Sequence, residues 1–419
     1  VKLSLIGAGS TYTPELIDGI LKRLEGFPIT QVCMMDIDEH RLELVAGFCR
    51  RMVAARGSSL RIEATSSLTK ALQGADFIVT QIRVAGQKGR HWDILLGKKY
   101  GIVGQETTGV GGFSKAMRTI PQIMEICREI ERVAPDAWLI NFTNPSGIIT
   151  EAITRYSQVK VVGLCNVPIN MHMDIAKLLE VDPEEISLDY VGLNHLAWIR
   201  HVYHQGKDVI DLVLNNSLKQ PSNVSKTKVS QDFIQALRMI PSPYLKYFYN
   251  TPAIIEEQKG AAKTRAEEVM EVEEELLRLY ADPTQTDKPA VLSKRGGAYY
   301  SHAAVEIMES IYKNSNKVLV VNVPNNGSVD GFGDDDVLEI PAVIGDHPPR
   351  PLAIGRVEPE IKGLMSQVKV YERLTVEAAM EKSYRKALLA LANNPLVQGV
   401  EQARALLAEI NSQYQLGLK

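Results

Sequence analysis

Gly7-Ala8-Gly9-Ser10 closes a short apolar run and opens a helical pattern. In that arrangement backbone N–H groups and a helix dipole converge on a pyrophosphate. Asp36 ends the next apolar run, where a carboxylate can accept hydrogen bonds from an adenosine ribose. Tyr12 stands in place of the third glycine, and the interval to Asp36 is longer than the customary ~20 residues. A glycine turn alone fits any tight strand-to-helix connection. The ordered series of strand, turn, helix, strand and acid is what points to a dinucleotide, and an acid at 36 favours NAD over NADP. Farther along, Cys165 and His195 could offer a thiolate and an imidazole to a transition metal, leaving positions open for substrate oxygens. They equally fit a small buried hydrophobe and a satisfied core histidine, and their spacing leaves the choice open.

The elements that must carry these residues alternate. Strands are predicted over 3–6, 32–35, 60–64, 77–82, 137–142 and 159–164. Between them lie helices: one capped by Thr13 with Pro14 at its first position, one carrying Leu42, Val45, Ala46, Cys49, Met52 and Val53 and ending at Gly57, and others near 67–72, 115–133 and 146–156. This βαβ order implies an α/β fold with a Rossmann-like, doubly wound parallel sheet over 1–165. A mixed α+β second domain is expected over 166–419. It has strands at 188–193, 197–204, 318–323 and 337–344, long helices at 256–280 and 298–312, and a helical end from 358.

Ligands of open α/β sheets sit beyond the carboxyl ends of the strands. Four such ends are polar: Arg83 with Gly86, Lys88, Gly89, Arg90 and His91; the glycine-rich stretch 104–112; Asn141-Phe142-Thr143-Asn144-Pro145-Ser146; and Cys165-Asn166-Val167-Pro168. Converging amides and cations suit a hydroxyl-rich anionic ligand, although any one of them is also an ordinary solvated loop residue. Gly7, Gly9, Ser10, Asp36, Arg83 and Asn141 are the expected cofactor contacts.

Composition excludes several classes. With 47 Lys+Arg against 50 Asp+Glu in 419 residues there is no basic stripe for nucleic acid. No apolar run reaches the ~18 residues of a membrane span. The first residues read directly as a strand, so no secretory signal is expected. The four cysteines form no C-x-x-C pair and no disulfide framework, which fits a cytoplasmic, reduced protein.

The ordered motifs Gly7-Ala8-Gly9-Ser10-x-Tyr12-Thr13-Pro14-Glu15, Gly104-Gln105-Glu106-Thr107-Thr108-Gly109, Asn141-Phe142-Thr143-Asn144-Pro145, Cys165-Asn166-Val167-Pro168 and Gly192-Leu193-Asn194-His195 resemble glycoside hydrolase family 4. The likeness continues through Pro243-Tyr244, Lys294-Arg295-Gly296-Gly297 and Asn325-Asn326-Gly327, and so covers essentially the whole chain. Cys-Asn-Val-Pro is similar to the signature of the 6-phospho-β-glucosidases; members acting on α-linked phosphoglucosides carry Asp where this chain has Asn166.

The resemblance implies NAD and a divalent metal, typically manganese, held by Cys165 and His195. It implies Tyr244 as catalytic base, Arg90 and Arg265 near a substrate phosphate, and Asn144 and Asn166 as sugar contacts. It also implies a phosphorylated disaccharide or aryl glucoside as substrate, and a homodimer or homotetramer. Most glycosidases work with two carboxylates, and the NAD-dependent members of this family are an exception. The implied route is transient oxidation at C3, metal-assisted loss of the C2 proton, elimination of the aglycone, addition of water and return of the hydride. The alternatives are an NAD-dependent hydroxy-acid dehydrogenase, suggested by 74–79 and Asn144-Pro145, and a non-catalytic nucleotide-binding or redox-sensing module.

Overall fold

The computed structural model describes residues 1–217, 229–295 and 299–419. Gly296, Gly297 and the expected helix start at Ala298 lie outside them. Six parallel strands form the centre of a nine-stranded sheet: β1 (Lys2–Ile6), β2 (Gln31–Met35), β3 (Arg61–Thr65), β4 (Phe77–Thr80), β5 (Trp138–Asn141) and β6 (Lys160–Gly163). Their order is β6-β5-β4-β1-β2-β3, all pairs parallel. The chain therefore reverses its winding direction around β1, and the crevice at that reversal is where a doubly wound sheet takes its ligand.

Local sequence explains the helices that cover the sheet. In α2 (Glu39–Ala55), Asp38 caps the start by accepting the Arg41 N–H at 3.0 Å. Leu42, Val45, Ala46, Cys49, Met52 and Val53 are buried at helical spacing, and the chain turns out at Gly57 with φ +61°. Helix α1 spans Thr13–Leu21, so Thr13 is its first residue and Tyr12 its cap. The Thr13 hydroxyl instead donates to the Ala8 carbonyl at 2.8 Å, pinning the glycine turn onto the helix.

Three further expectations change. The polar stretch after β4 is mostly helix, α4 (Gly86–Lys99), after the short α3 (Leu68–Leu72). Helix α5 begins at Gly109 and runs to Val133, absorbing the end of the glycine-rich stretch. A Cβ on Gly112 would meet the Thr107 carbonyl oxygen at 2.7 Å, so this glycine serves close backbone approach. The long helix expected over 256–280 is two helices, Thr251–Gly260 and Arg265–Ala281.

After α6 (Ser146–Tyr156) and α7 (Asn166–Leu179), β7 (Ile186–Leu193) and β8 (Leu196–His204) form an antiparallel hairpin, joined by β9 (Lys207–Asp208) and β10 (Ile240–Pro241) in a second sheet. The chain then returns. Strands β11 (Lys317–Pro324), β12 (Val337–Ile344) and β13 (Arg350–Pro351) extend the first sheet beyond β6 in antiparallel fashion. Helix Pro359–Glu381 packs on α5 and α6. No described helix is long and apolar enough to cross a membrane.

Candidate active site

At the nucleotide end, Gly7 has φ +88°, and a Cβ there would lie 2.9–3.0 Å from the Gln81 and Ile82 backbone. The Gly9 N–H donates to Asp36 Oδ2 at 2.8 Å. The second Asp36 oxygen accepts the Asp38 N–H at 3.1 Å, so both sides of the carboxylate are aimed by backbone. Arg41 Nε donates to the Gly9 carbonyl at 2.6 Å, and the Ser10 hydroxyl accepts from Arg295 at 3.4 Å. Glu273, buried in helix Arg265–Ala281, ties these arginines together at 2.8 Å to Arg41 and 3.2 Å to Arg295. Arg41 and Glu273 carry no sequence signal, since 232 residues separate them, and Arg295 stands in the sequence only as part of the Lys294-Arg295-Gly296-Gly297 motif with no role assigned. Tyr12, in the missing-glycine position, turns its ring edge to Tyr300 at 6.1 Å. This tight glycine cradle, with an aimed acid beside a helix start, fits NAD.

Deeper in, Glu106 sits among three cations. It pairs with Arg83, with Lys115 at 3.0 Å and with Arg90 at 3.1 Å. Burial pushes the carboxyl up, but the three cations outweigh it and hold it well below the usual carboxylate range. Lys115 is driven down to about 7 by burial, then by Arg83, against the pull of Glu106. The two arginines and a partly protonated lysine still outweigh the one carboxylate they share, so this corner favours a further negative charge. Arg83 and Arg90 were expected near a ligand; Glu106 and Lys115 were unassigned.

Cys165 caps α7, its Sγ accepting the Val167 N–H at 3.5 Å. His195 occupies the β7–β8 turn with φ +66°. Of the two expected metal ligands, His195 packs on Tyr244, which lies in a short 3-10 turn, Pro243–Leu245. Its ring stacks on His195 with centroids 3.8 Å apart and planes 4° apart, and Cys165 is among the groups that raise its phenol electrostatically. Burial depresses His195 to about 3, leaving a neutral imidazole, the form that binds metal. Burial raises the Cys165 thiol, while N–H donors from Val167 and Asn194 favour its anion. A soft sulfur beside a neutral imidazole fits a divalent transition metal. Among the described residues no cluster of three or more His, Cys, Asp or Glu that could hold a metal is found. Behind the pair, buried Glu339 accepts from Tyr190 at 2.6 Å and Asn194 at 3.0 Å, and burial lifts it to about 6.

The remaining candidates divide. Arg90 Nε is buried without a partner, and Arg90 senses both Tyr244 and Arg265. Arg265 is the first residue of its helix, half exposed, bonded to Glu268 at 2.8 Å and to the Lys294 carbonyl at 3.0 Å. The Asn144 side-chain oxygen is buried without a partner, and Asn166 opens α7. Asn141 differs. Its oxygen accepts from Thr80 at 3.1 Å and the Thr143 N–H at 3.0 Å. Its amide donates to Thr143, Ser146 and Thr150. These bonds shape the loop that presents Asn144.

A doubly wound sheet with a dinucleotide cradle, opening onto a thiol–imidazole pair and a tyrosine, defines an NAD-binding enzyme architecture with a metal-ready second centre. The model of family 4 glycosyl hydrolases matches residues 2–181 and that of their C-terminal domain residues 190–397, and the chain belongs to this family. It is 38% identical to the 6-phospho-beta-glucosidase of Thermotoga maritima, over 98% of this chain and 97% of that protein. It is 35% identical to the 6-phospho-beta-glucosidase of Escherichia coli K12, over 98% and 94%. The solved Thermotoga maritima 6-phospho-beta-glucosidase with manganese, NAD+ and glucose-6-phosphate superposes with a TM-score of 0.92 at 36% identity, covering 100% and 99% of the two chains. A malate dehydrogenase from Plasmodium falciparum superposes with a TM-score of 0.55 at 16% identity, a likeness of fold alone.

Proposed function

We propose that this chain hydrolyses 6-phospho-β-glucosides to glucose 6-phosphate using NAD and a divalent metal, manganese in the first instance. The observation that carries the proposal is the face-to-face stack of Tyr244 on neutral His195, with Cys165 and Arg90 both acting electrostatically on that tyrosine. NAD bound at the glycine cradle supplies a reversible hydride acceptor for sugar C3, and a metal on Cys165 and His195 supplies Lewis acidity next to the acidified C2 proton. The chain's own residues do the rest. Tyr244 takes the C2 proton; burial, then Tyr247, Cys165 and Glu106, raise its phenol, and Arg90 works against them. Loss of that proton expels the aglycone from C1, water adds to the unsaturated sugar, and the hydride returns to C3, so NAD is not consumed. Asn166 brings an amide rather than a carboxylic acid to the start of α7, and protonation of the leaving group is assigned to no side chain. Arg90 and Arg265 receive the 6-phosphate by charge-assisted hydrogen bonds, beside the cationic surplus around Glu106.

In this reading residues 1–165 hold the nucleotide, and 166–419 supply the metal site's histidine, the base and the assembly contacts. A cytoplasmic location is supported by four free, buried cysteines. A homodimer or homotetramer rests on family likeness, and light scattering in solution tests it. The activity test follows nitrophenol release from p-nitrophenyl β-glucoside 6-phosphate by protein stripped of NAD and metal. Release should require both additives and leave no net NADH. Net NADH from a hydroxy acid without metal would favour the dehydrogenase instead.

A further inference from the structure

The imidazole of His195 has two nitrogens with different surroundings. Nδ1 is buried and without a hydrogen-bond partner. A metal-ligating histidine normally donates its second ring N–H to a carboxylate, a carbonyl or a water, which fixes the ring and raises its basicity. A small cavity, about 20 Å³ for a water-sized occupant, is lined by His195, Thr108, Glu372 and Asn394 among others. That volume holds one water, provided two to four polar groups meet it. Thr108 Oγ1, at the cap of α5, is also buried without a partner. Glu372, on helix Pro359–Glu381, is 5% exposed, and its Oε2 meets Lys369 Nζ at 2.6 Å outside hydrogen-bond geometry.

We propose that one water seated in this cavity accepts the His195 Nδ1–H and donates to the Glu372 carboxylate and the Thr108 hydroxyl, making Glu372 a positioning residue for the metal-ligating imidazole. The inference rests on His195 as a metal ligand. Three hydrogen bonds satisfy the water and three protein atoms, His195 Nδ1, Thr108 Oγ1 and a Glu372 carboxylate oxygen, that otherwise lack a hydrogen-bond partner. Lys369, held at 2.7 Å by buried Glu151, anchors the carboxylate end of the relay. Helix Pro359–Glu381, from the C-terminal part of the chain, thereby reaches the metal centre without touching it.

The test uses cobalt(II), whose visible bands report ligand field and thiolate coordination, with the full chain plus NAD and glucose 6-phosphate under reductant. Glu372→Gln keeps shape and leaves the Lys369–Glu151 pair intact; Thr108→Val removes only the hydroxyl. Cobalt affinity should fall about tenfold in Glu372→Gln, toward the lower end of the ~10–100-fold seen for lost outer-shell partners, and less in Thr108→Val. The visible bands should shift in both variants while NAD affinity stays at the wild-type value. Unchanged affinity and bands in Thr108→Val and in folded Glu372→Gln would overturn the inference, and Thr108→Val alone decides it if Glu372→Gln fails to fold. A role confined to packing would lower the melting temperature without moving the bands, and that result also overturns it. Wild-type protein without a thiolate–cobalt band, or Cys165→Ser binding cobalt as wild type does, would instead remove the metal reading on which the relay depends.

Discussion

Gly9→Ala separates two jobs of the glycine turn. Gly9 does not have a positive φ, so alanine there brings no left-handed strain, unlike Gly7 at +88°. The added Cβ would lie 2.9 Å from Asp36 Oδ2 and 3.1 Å from its Cγ. Ordinary contact begins near 3.5 Å, so the carboxylate must withdraw by about 0.5 Å. That displacement stretches the 2.8 Å bond from the Gly9 N–H and moves the acceptor presented to the ribose. Hydrogen bonds to charged groups are worth ~1.5–3 kcal/mol, and losing about half of one costs roughly 1–1.5 kcal/mol, close to tenfold in NAD affinity. Fold stability should move by less than about 1 kcal/mol, because Asp36 is a partly exposed side chain that can yield. Gly7→Ala, clashing with the Gln81 and Ile82 backbone at positive φ, should cost roughly 2–4 kcal/mol of stability. Calorimetric titration of NAD, paired with urea unfolding, measures both. Wild-type NAD affinity in folded Gly9→Ala would show that Asp36 is no part of the nucleotide site.

Tyr244→Phe should retain NAD and glucose 6-phosphate binding while kcat falls ~10²–10⁴-fold, the usual loss for a general base. Deuterium uptake at C2 in D2O should stop with it, and continued exchange would refute the assignment. Arg265→Ala should raise KM for the phosphorylated glucoside about 10–100-fold and leave unphosphorylated glucosides unaffected, since its bonds to Glu268 and Lys294 are half-exposed and contribute little to stability. Burial pushes Asp18 up, but Lys22, Arg56 and Lys288 outweigh it and bring it down to about 2, against an ordinary 3.8 for an aspartate. A depressed carboxylate stabilises the fold above its unfolded pKa and loses that contribution as pH falls through its folded value. Asp18→Asn should therefore cost about 1–2 kcal/mol at neutral pH, after discounting for its solvent-screened partners, with the difference shrinking from about pH 4 towards about pH 2. A pH-independent difference in urea unfolding would contradict this.

The parallel half of the fold was legible because its signals are local. Apolar runs, caps and Gly57 each act within a few residues. The break at 261–264 was legible in principle: Thr264-Arg265-Ala266-Glu267 is a capping box, formed by the 3.2 Å and 2.7 Å bonds between Thr264 and Glu267. The good helix formers around it concealed the signal. The start of α5 was hidden because Gly109, Gly111 and Gly112 look like a loop, whereas packing against the 105–107 backbone is what excludes a side chain at 111 and 112. Glu106, Lys115 and the Arg41–Glu273–Arg295 group depend on which elements meet, and no periodicity encodes that. Tyr244 is the extreme case. On residue chemistry alone it is an aromatic in a proline-rich loop, and only the stack on His195 distinguishes it.

The antiparallel extension of the main sheet bears on how the chain is made. Gly163 of β6 waits for Asn322 of β11, about 160 residues later in the sequence. At ~5–20 residues per second of synthesis, the nascent parallel sheet stands open along β6 for roughly 8–30 seconds, a bare strand edge of the kind that recruits neighbouring chains. The same late strands deliver Asn322 and Glu339 behind Cys165 and His195, so the ribosome has finished most of the protein before the metal centre has its back wall. Chains halted before residue 317 should collect as aggregates, and full-length translation should be the moment at which both solubility and the metal site arrive.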